Sequence, residues 1–106
     1  MKTFVPTNRP PTHPGELVRD EFIEPMGLKQ RDVAEALHIS EVGLNLLLNG
    51  KKRLTAQMAL RLERAFGVSA ETWLNMQTAC DLFAAKHSAT APIIKKEVRK
   101  LVAFRK

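Results

Sequence analysis

The feature that most constrains the fold is a pair of short helical patterns with only three residues between them. The first spans residues 30–37 and the second spans residues 41–48. Apolar side chains that recur at three- and four-residue spacing lie on one face of a helix. In this pair they are Val33, Ala34 and Leu37, followed by Leu44, Leu47 and Leu48.

Capping residues mark the limits of the second pattern. Ser40 precedes it as a predicted N-cap, and Glu41 lies in the first turn, where the helix dipole favours an acid. Asn49 and Gly50, which tolerate left-handed backbone, end it. Two short helices joined by so short a connector have the layout of a helix-turn-helix.

Three further helical patterns complete an all-α domain, which is predicted over residues 13–88. The first helix starts at Pro14, where the missing N–H costs nothing, and ends at Pro25. Another follows a Thr55 cap, and the last follows a Ser69 cap. With the central pair, these patterns predict a domain of five helices.

The last of these helices carries two apolar stripes, which is more than the core of a small domain needs. Either both stripes fill the core, or one of them forms the interface of a dimer. Small helix-turn-helix domains generally read DNA half-sites as dimers, which favours the second interpretation. The stripes are Trp73, Met76, Cys80 and Phe83, and Leu74, Leu82 and Ala85.

Two segments lie outside this domain. Residues 1–12 are predicted to form an extended arm, because prolines recur along them. Residues 89–106 are predicted to form a basic amphipathic tail with a C-terminal helix. Three roles stay open for the tail: a solvated helix docked on the domain, a segment that orders on nucleic acid or protein, and a membrane-surface helix. Its apolar stripe is Ile94, Val98, Leu101 and Val102.

The net charge of +6 is concentrated in the second half of the chain. Residues 1–50 carry five Lys or Arg against seven Asp or Glu, whereas residues 51–106 carry twelve against four. One basic cluster, Lys51 to Arg53, directly follows the helix-turn-helix pattern, and a second lies in the tail. This pattern predicts a polyanionic partner that meets two local basic surfaces.

The same sequence argues against a membrane protein, a metalloprotein and an enzyme. No apolar run approaches the ~20 residues of a transmembrane helix, and prolines interrupt the N-terminus where a signal peptide is apolar, so we expect a cytoplasmic location. Cys80 is the only cysteine, and the three histidines show no metal-ligand spacing. Asp32, His38 and Ser40 lie close in sequence but are not expected to share a pocket, so no catalytic residue is predicted. No cofactor or metal is predicted either.

Four sequence blocks occur in an order that is typical of one family. They are HPGEL (13–17), EPMGLKQRDVAEAL (24–37), LNGKKRLTAQMALRLERAFG (48–67) and WLNMQTACDL (73–82). Together they resemble the HigA-type antitoxins of HigB–HigA toxin–antitoxin systems, including members called virulence-associated protein I, within the XRE or lambda-repressor-like helix-turn-helix superfamily. The resemblance implies a five-helix, lambda-repressor-like homodimer that binds double-stranded operator DNA at its own promoter and partners with a HigB-type ribonuclease toxin.

The resemblance also implies roles for individual residues. Gln30 matches a glutamine that touches the DNA backbone, and Ala34 matches the small residue at which the two helices cross. Asn49, Lys51 and Lys52 match a loop that contacts phosphate. The WLN block is interpreted as structural and interfacial, and the predicted dimer-interface residues are Trp73, Leu74, Gln77, Asp81 and Leu82.

The second helix of the motif departs from the family where DNA-reading side chains are usual. Members often place Arg, Gln or Ser at the positions held here by Glu41, Val42, Gly43 and Leu46. The outward face keeps Asn45 for an adenine, and Val42 or Leu46 for a thymine methyl. It is predicted to read A·T-containing steps weakly, or to bind protein instead. The predicted DNA-binding residues are Gln30, Ser40, Glu41, Val42, Gly43, Asn45, Leu46, Asn49, Lys51, Lys52 and Arg53.

The turn of the motif departs from the family at one position. His38 stands where most relatives carry glycine. Histidine tolerates a positive φ better than most residues, so the turn is predicted to form at a small conformational cost.

Three functions fit these patterns. The leading prediction is a dimeric antitoxin that binds operator DNA, represses its own operon and neutralises a ribonuclease toxin. The alternatives are a toxin-binding module with little DNA recognition of its own, and an orphan transcriptional regulator without a toxin. An adjacent reading frame for a small basic protein would separate the first two functions from the third.

Overall fold

A computed structural model describes residues 9–102, and all regular structure in them is helical. The all-α prediction is therefore confirmed for this part of the chain. Residues 1–8 of the predicted arm and residues 103–106 of the predicted tail lie outside the described residues. The elements are α1 (Pro14–Val18), a π-helical segment (Arg19–Ile23), α2 (Gln30–Leu37), α3 (Glu41–Leu48), α4 (Ala56–Phe66), α5 (Ala70–Lys86) and α6 (Thr90–Glu97).

The predicted N-caps all form. Ser40 Oγ accepts a hydrogen bond from the Gly43 amide at 3.0 Å. Thr55 Oγ1 accepts from the Met58 amide at 3.2 Å and Ser69 Oγ accepts from the Thr72 amide at 3.1 Å. Each cap satisfies one of the amides that the first turn of a helix leaves without a partner, which fixes where α3, α4 and α5 begin.

The turn of the helix-turn-helix forms at His38, as predicted. This residue adopts left-handed backbone with φ 61° and ψ 45° and is the C-cap of α2. Arg61 Nη1 donates to the Leu37 carbonyl at 3.0 Å, so a side chain of α4 satisfies one of the last carbonyls of α2. The angle between α2 and α3 is therefore set both by the turn and by α4.

The core lies where α1, α3, α4 and α5 meet. It is formed by the inward faces of these helices, by Ile23 of the π-helical segment, by Val33, Ala34 and Leu37 of α2, and by Leu54 in the connection between α3 and α4. Phe22 of the π-helical segment contacts Phe66 at a ring-centroid distance of 4.6 Å and Trp73 at 6.4 Å. The largest fully buried side chains are Trp73, Leu44, Leu48, Leu54, Leu62, Val18 and Pro14.

Helix α1 crosses α3 at a contact that only glycine permits. A Cβ atom on Gly15 would lie 1.8 Å from the Leu47 carbonyl oxygen and 2.5 Å from the Leu47 carbonyl carbon. His13 caps α1 at the same place, because its Nδ1 accepts from the Gly15 amide at 2.9 Å. The HPGEL block thus supplies the cap, the helix start and the close approach of α1 to α3.

The C-terminal helix is shorter than predicted. Helix α6 begins at Thr90 and ends at Glu97, and Val98 has an extended backbone with φ −85° and ψ 122°. Leu101 and Val102 therefore do not continue the apolar stripe of this helix. Helix α6 packs against α5 and contributes no buried side chain.

Ending the chain at Ser88 is expected to leave the helix-turn-helix domain folded. Removing α6 takes no side chain from the core, so the free energy of unfolding should change by less than about 1 kcal/mol. Thermal unfolding followed by circular dichroism measures this change. A loss of the cooperative transition would show that the core depends on the tail.

Candidate nucleic-acid interface

The outer face of α3 carries a shallow depression next to the start of α2. Val42 is 72% exposed and Leu46 is 40% exposed. Gln30, Glu41 and Asn45 complete the lining. The fold thus brings the predicted base-reading side chains together with the residue that was predicted to touch the DNA backbone.

Three side-chain amides form a hydrogen-bonded row along this depression. Asn45 Nδ2 donates to Gln30 Oε1 at 3.2 Å, and Asn49 Nδ2 donates to Asn45 Oδ1 at 3.3 Å. Asn49 Nδ2 also donates to the Asn45 carbonyl oxygen at 2.9 Å. An asparagine amide has two N–H groups and two acceptor lone pairs. Asn45 therefore keeps one donor and one acceptor beyond this row, on an orientation that its neighbours hold fixed.

The loop between α3 and α4 places cations beside α3. Lys51, Lys52 and Arg53 are all exposed. A Cβ atom on Gly43 would lie 3.7 Å from Lys52 Nζ, which puts this ammonium group against the first turn of α3. Ser40 is the N-cap of α3, and Glu41 is exposed in the first turn of this helix.

Arg53 differs from the two lysines because it is paired within the chain. Its Nη2 donates to Asp81 Oδ2 on α5, and Asp81 Oδ1 accepts from Gln77 Nε2 at 2.9 Å. The hydrogen bonds from Arg53 and Gln77 hold the pKa of the Asp81 carboxyl below its usual value. Gln77 Oε1 in turn accepts from the Leu54 amide at 2.7 Å. The predicted phosphate contact of Arg53 therefore competes with an ion pair to α5.

The predicted dimer interface needs a correction on α5. Trp73 is fully buried in the core of this chain and Gln77 is only 4% exposed, so neither side chain offers surface to a second copy. Asp81 is half-buried and bonded to Arg53. Leu82 is 53% exposed, and Leu74 is half-buried and packs on the core. The sequence misassigned Trp73 and Gln77 because the radial position of a side chain depends on which helices surround α5.

A second cleft, of about 290 Å³, separates the first turn of α3 from the first turns of α4. Sequence reasoning missed the part that α4 contributes to this surface. A signal was present, because Thr55 is a recognisable N-cap directly after the basic loop, and the residues three and four positions after a cap lie on its face of the helix. The cleft is lined by Ile39, Ser40, Gly43, Leu47, Lys52, Arg53, Thr55, Gln57, Met58 and Arg61.

Cys80 joins α5 to the described part of the predicted arm. Its Sγ lies 3.5 Å from the carbonyl oxygens of Pro11 and Thr12, and burial raises the pKa of the thiol. Between residues 9 and 102, no group of three or more His, Cys, Asp or Glu side chains could hold a metal ion. The same stretch contains no helix with the length and apolar character needed to cross a membrane.

Comparison with known proteins assigns the chain to a family. The helix-turn-helix family model matches residues 21–73. Virulence-associated protein I of Dichelobacter nodosus is 48% identical over 77 residues, which cover 73% of this chain and 71% of that protein. Antitoxin HigA-1 of Vibrio cholerae is 40% identical over 81 residues, which cover 76% of each protein.

A solved structure agrees with this assignment. Antitoxin GraA in complex with its operator superposes with a TM-score of 0.81 at 36% identity, over 94% of this chain and all of that chain. The chain therefore belongs to the XRE-type helix-turn-helix family, among relatives named HigA antitoxin and virulence-associated protein I.

Proposed function

We propose that this protein is a DNA-binding antitoxin that binds operator DNA as a homodimer, represses its own operon and neutralises a partner ribonuclease toxin. The observation that carries the proposal is the outer face of α3, where Gln30, Val42, Asn45 and Leu46 line one depression next to the basic loop. The likeness to an antitoxin in complex with its operator supports it.

Sequence recognition is assigned to α3 lying in the major groove. The free donor and acceptor of Asn45 match the N6 and N7 atoms of adenine, and the exposed methyl groups of Val42 and Leu46 match a thymine methyl. Glu41 is the residue that opposes binding, because its carboxylate lies close to where phosphates would run. The proposed reading is a short preference for A·T-containing steps.

Affinity is assigned mainly to phosphate contacts. Lys51 and Lys52 are exposed in the loop after α3, and Gln30 is the first residue of α2, whose first-turn amides can donate to a phosphate. Each neutralised phosphate releases counterions, so binding should weaken steeply as salt rises.

The homodimer is assigned to the exposed side of α5. Leu82 supplies an apolar contact there, and Leu74 extends it toward the core. A two-fold pair would present two copies of α3 to successive half-sites, about one helical turn of DNA apart. Neutralisation of a toxin rests on the relatives that are named antitoxins.

Titration of the protein onto its own promoter DNA tests the proposal directly. A mobility-shift series at increasing salt should show tighter binding to the promoter than to a scrambled duplex of equal length. Size-exclusion chromatography with light scattering should give twice the chain mass. Equal binding of promoter and scrambled DNA at moderate salt would rule out operator repression.

A second function is favoured by the apolar character of α3. Val42 is 72% exposed, and an apolar spot of this kind on a helix can bind protein instead of bases. In that case the protein is a toxin-binding module with little DNA recognition of its own. The titration separates the two functions, because this module would show no promoter preference.

Replacing Asn45 by alanine is expected to relax discrimination at about one base pair. The substitution removes the donor and acceptor that face an adenine, which should cost ~1–3 kcal/mol at that pair and little on other sequences. Affinities for duplexes with single base changes measure this selectivity. A uniform loss on every sequence would mean that Asn45 positions α3 through Gln30 and reads no base.

A further inference from the structure

We infer that Gln77 is a positioning residue for DNA binding, which holds the phosphate-contacting loop in place from the interior of the protein. The inference rests on the proposed function and deepens it, since it assigns the geometry of the loop to α5, a helix outside the proposed DNA-binding surface. The loop comprises residues 49–55, between the end of α3 and the start of α4.

Both ends of this loop are tied down by hydrogen bonds. At its start, the Gly50 amide donates to the Leu47 carbonyl at 3.0 Å and the Lys51 amide donates to the Leu46 carbonyl at 2.9 Å. At its end, the Leu54 amide donates to Gln77 Oε1 at 2.7 Å. Lys51 belongs to the first anchor and Lys52 lies between the two, so the backbone that carries both lysines has little freedom.

The amide of Gln77 can satisfy its partners in only one orientation. Oε1 faces the Leu54 N–H, and Nε2 faces the Asp81 carboxylate at 2.9 Å. Turning the amide over would place a donor against a donor and an acceptor against the carboxylate. The side chain is 4% exposed, so neither mismatch could be relieved cheaply by water. Gln77 thus fixes one arrangement of loop and helix.

Packing alone does not account for glutamine at this position. An apolar side chain of similar size would fill the same volume but leave the buried Leu54 amide without an acceptor. Glutamate would accept from that amide but would place a second carboxylate beside Asp81. Only a side chain with an acceptor at one end and a donor at the other joins Leu54 to Asp81, and Asp81 then holds Arg53, the residue before Leu54.

Replacing Gln77 by methionine tests the inference through DNA affinity. We expect Gln77→Met to weaken binding about 10-fold on promoter and scrambled DNA alike, and to flatten the dependence of log K on log salt by about one unit. Measurements are made well below the unfolding temperature, with the active fraction set by stoichiometric titration. Ala79→Met is the matched control, because Ala79 is exposed on the same helix and lies outside both the WLN block and the predicted dimer interface.

A thermodynamic cycle distinguishes positioning from general stability. If Gln77 acts through the loop lysines, Gln77→Met should add little to the loss already caused by Lys51→Ala with Lys52→Ala. Fully additive losses would overturn the inference. So would a variant that unfolds at a lower temperature yet binds DNA with unchanged affinity and salt dependence.

Amide hydrogen exchange in the unmodified protein provides a test that does not depend on the variant folding. The Leu54 amide should exchange at least ten times more slowly than the amides of Lys52 and Arg53. Exchange of Leu54 as fast as its exposed neighbours would overturn the inference. Failure of the proposed function would give a different result, namely equal binding of promoter and scrambled DNA by the unmodified protein. The effect of Gln77→Met on that nonspecific binding could still be measured. A complete lack of DNA binding would overturn both.

Discussion

Gly15→Ala is expected to lower the free energy of unfolding by about 3 kcal/mol or more. The added Cβ would lie 1.8 Å from the Leu47 carbonyl oxygen, so α1 and α3 would have to move apart. The atoms it meets belong to the backbone of a helix, which cannot rotate away as a side chain can. The movement would also open the core around Leu47 and change the position of α3.

Thermal and urea unfolding measure this effect, and for a domain of this size we expect a fall of about 15 °C in Tm. Gly43→Ala is the matched control within α3. There the nearest atoms to the added Cβ are Ser40 Oγ at 3.0 Å and Lys52 Nζ at 3.7 Å, both on side chains. Alanine is also the better helix former, so the control should stay within about 1 kcal/mol of the parent. Equal stability of Gly15→Ala and the parent would contradict the contact between α1 and α3.

The second large effect is expected for Lys51→Ala combined with Lys52→Ala. Each lysine that neutralises a phosphate contributes about 0.9 to the magnitude of the slope of log K against log salt. At ~0.1 M salt this contribution raises the affinity by close to a factor of ten relative to ~1 M salt. Counted per protomer on its half-site, the double variant should therefore lose about 50-fold in affinity and about two units of slope. The loss should be the same on promoter and scrambled DNA, because phosphates carry no sequence information.

Arg64→Ala combined with Lys86→Ala is the matched control, since it removes the same formal charge. Arg64 lies in the last turn of α4 and Lys86 in the last turn of α5, whereas the loop precedes α4. If the lysines contact phosphate directly, the control should lose only a small part of the affinity. Equal losses in both double variants would mean that net charge alone drives binding, and the loop would then be removed from the interface.

Local patterns were sufficient to predict where α3, α4 and α5 begin. Ser40, Thr55 and Ser69 form their caps because a short side-chain oxygen beside free amides needs only neighbouring backbone. His38 adopts the left-handed conformation that the three-residue connector demands. The predicted end of the tail helix was wrong. A run of basic and apolar residues does not specify where a helix ends when the helix does not pack against a core.

The sequence predicted which side chains share the depression on α3, but it did not predict the hydrogen bonds and ion pairs that join distant residues of the candidate site. Gln30, Val42, Asn45 and Leu46 do share one depression, since helical spacing fixes the direction of each side chain. The pairing of Arg53 with Asp81 joins residues 28 positions apart, which no periodicity indicates. Gln77 was assigned to a dimer surface, and its burial depends on where the loop crosses α5.

The sequence by itself determined which segments become helices, where they are capped and which face of each is apolar, because these properties depend on side chains within a few residues of one another. The tertiary structure alone decided that Gly15 meets the Leu47 carbonyl, that Gln77 holds the Leu54 amide and that Arg53 is shared between α5 and solvent. These contacts are set by the distances between helices, and those distances result from packing the whole core at once.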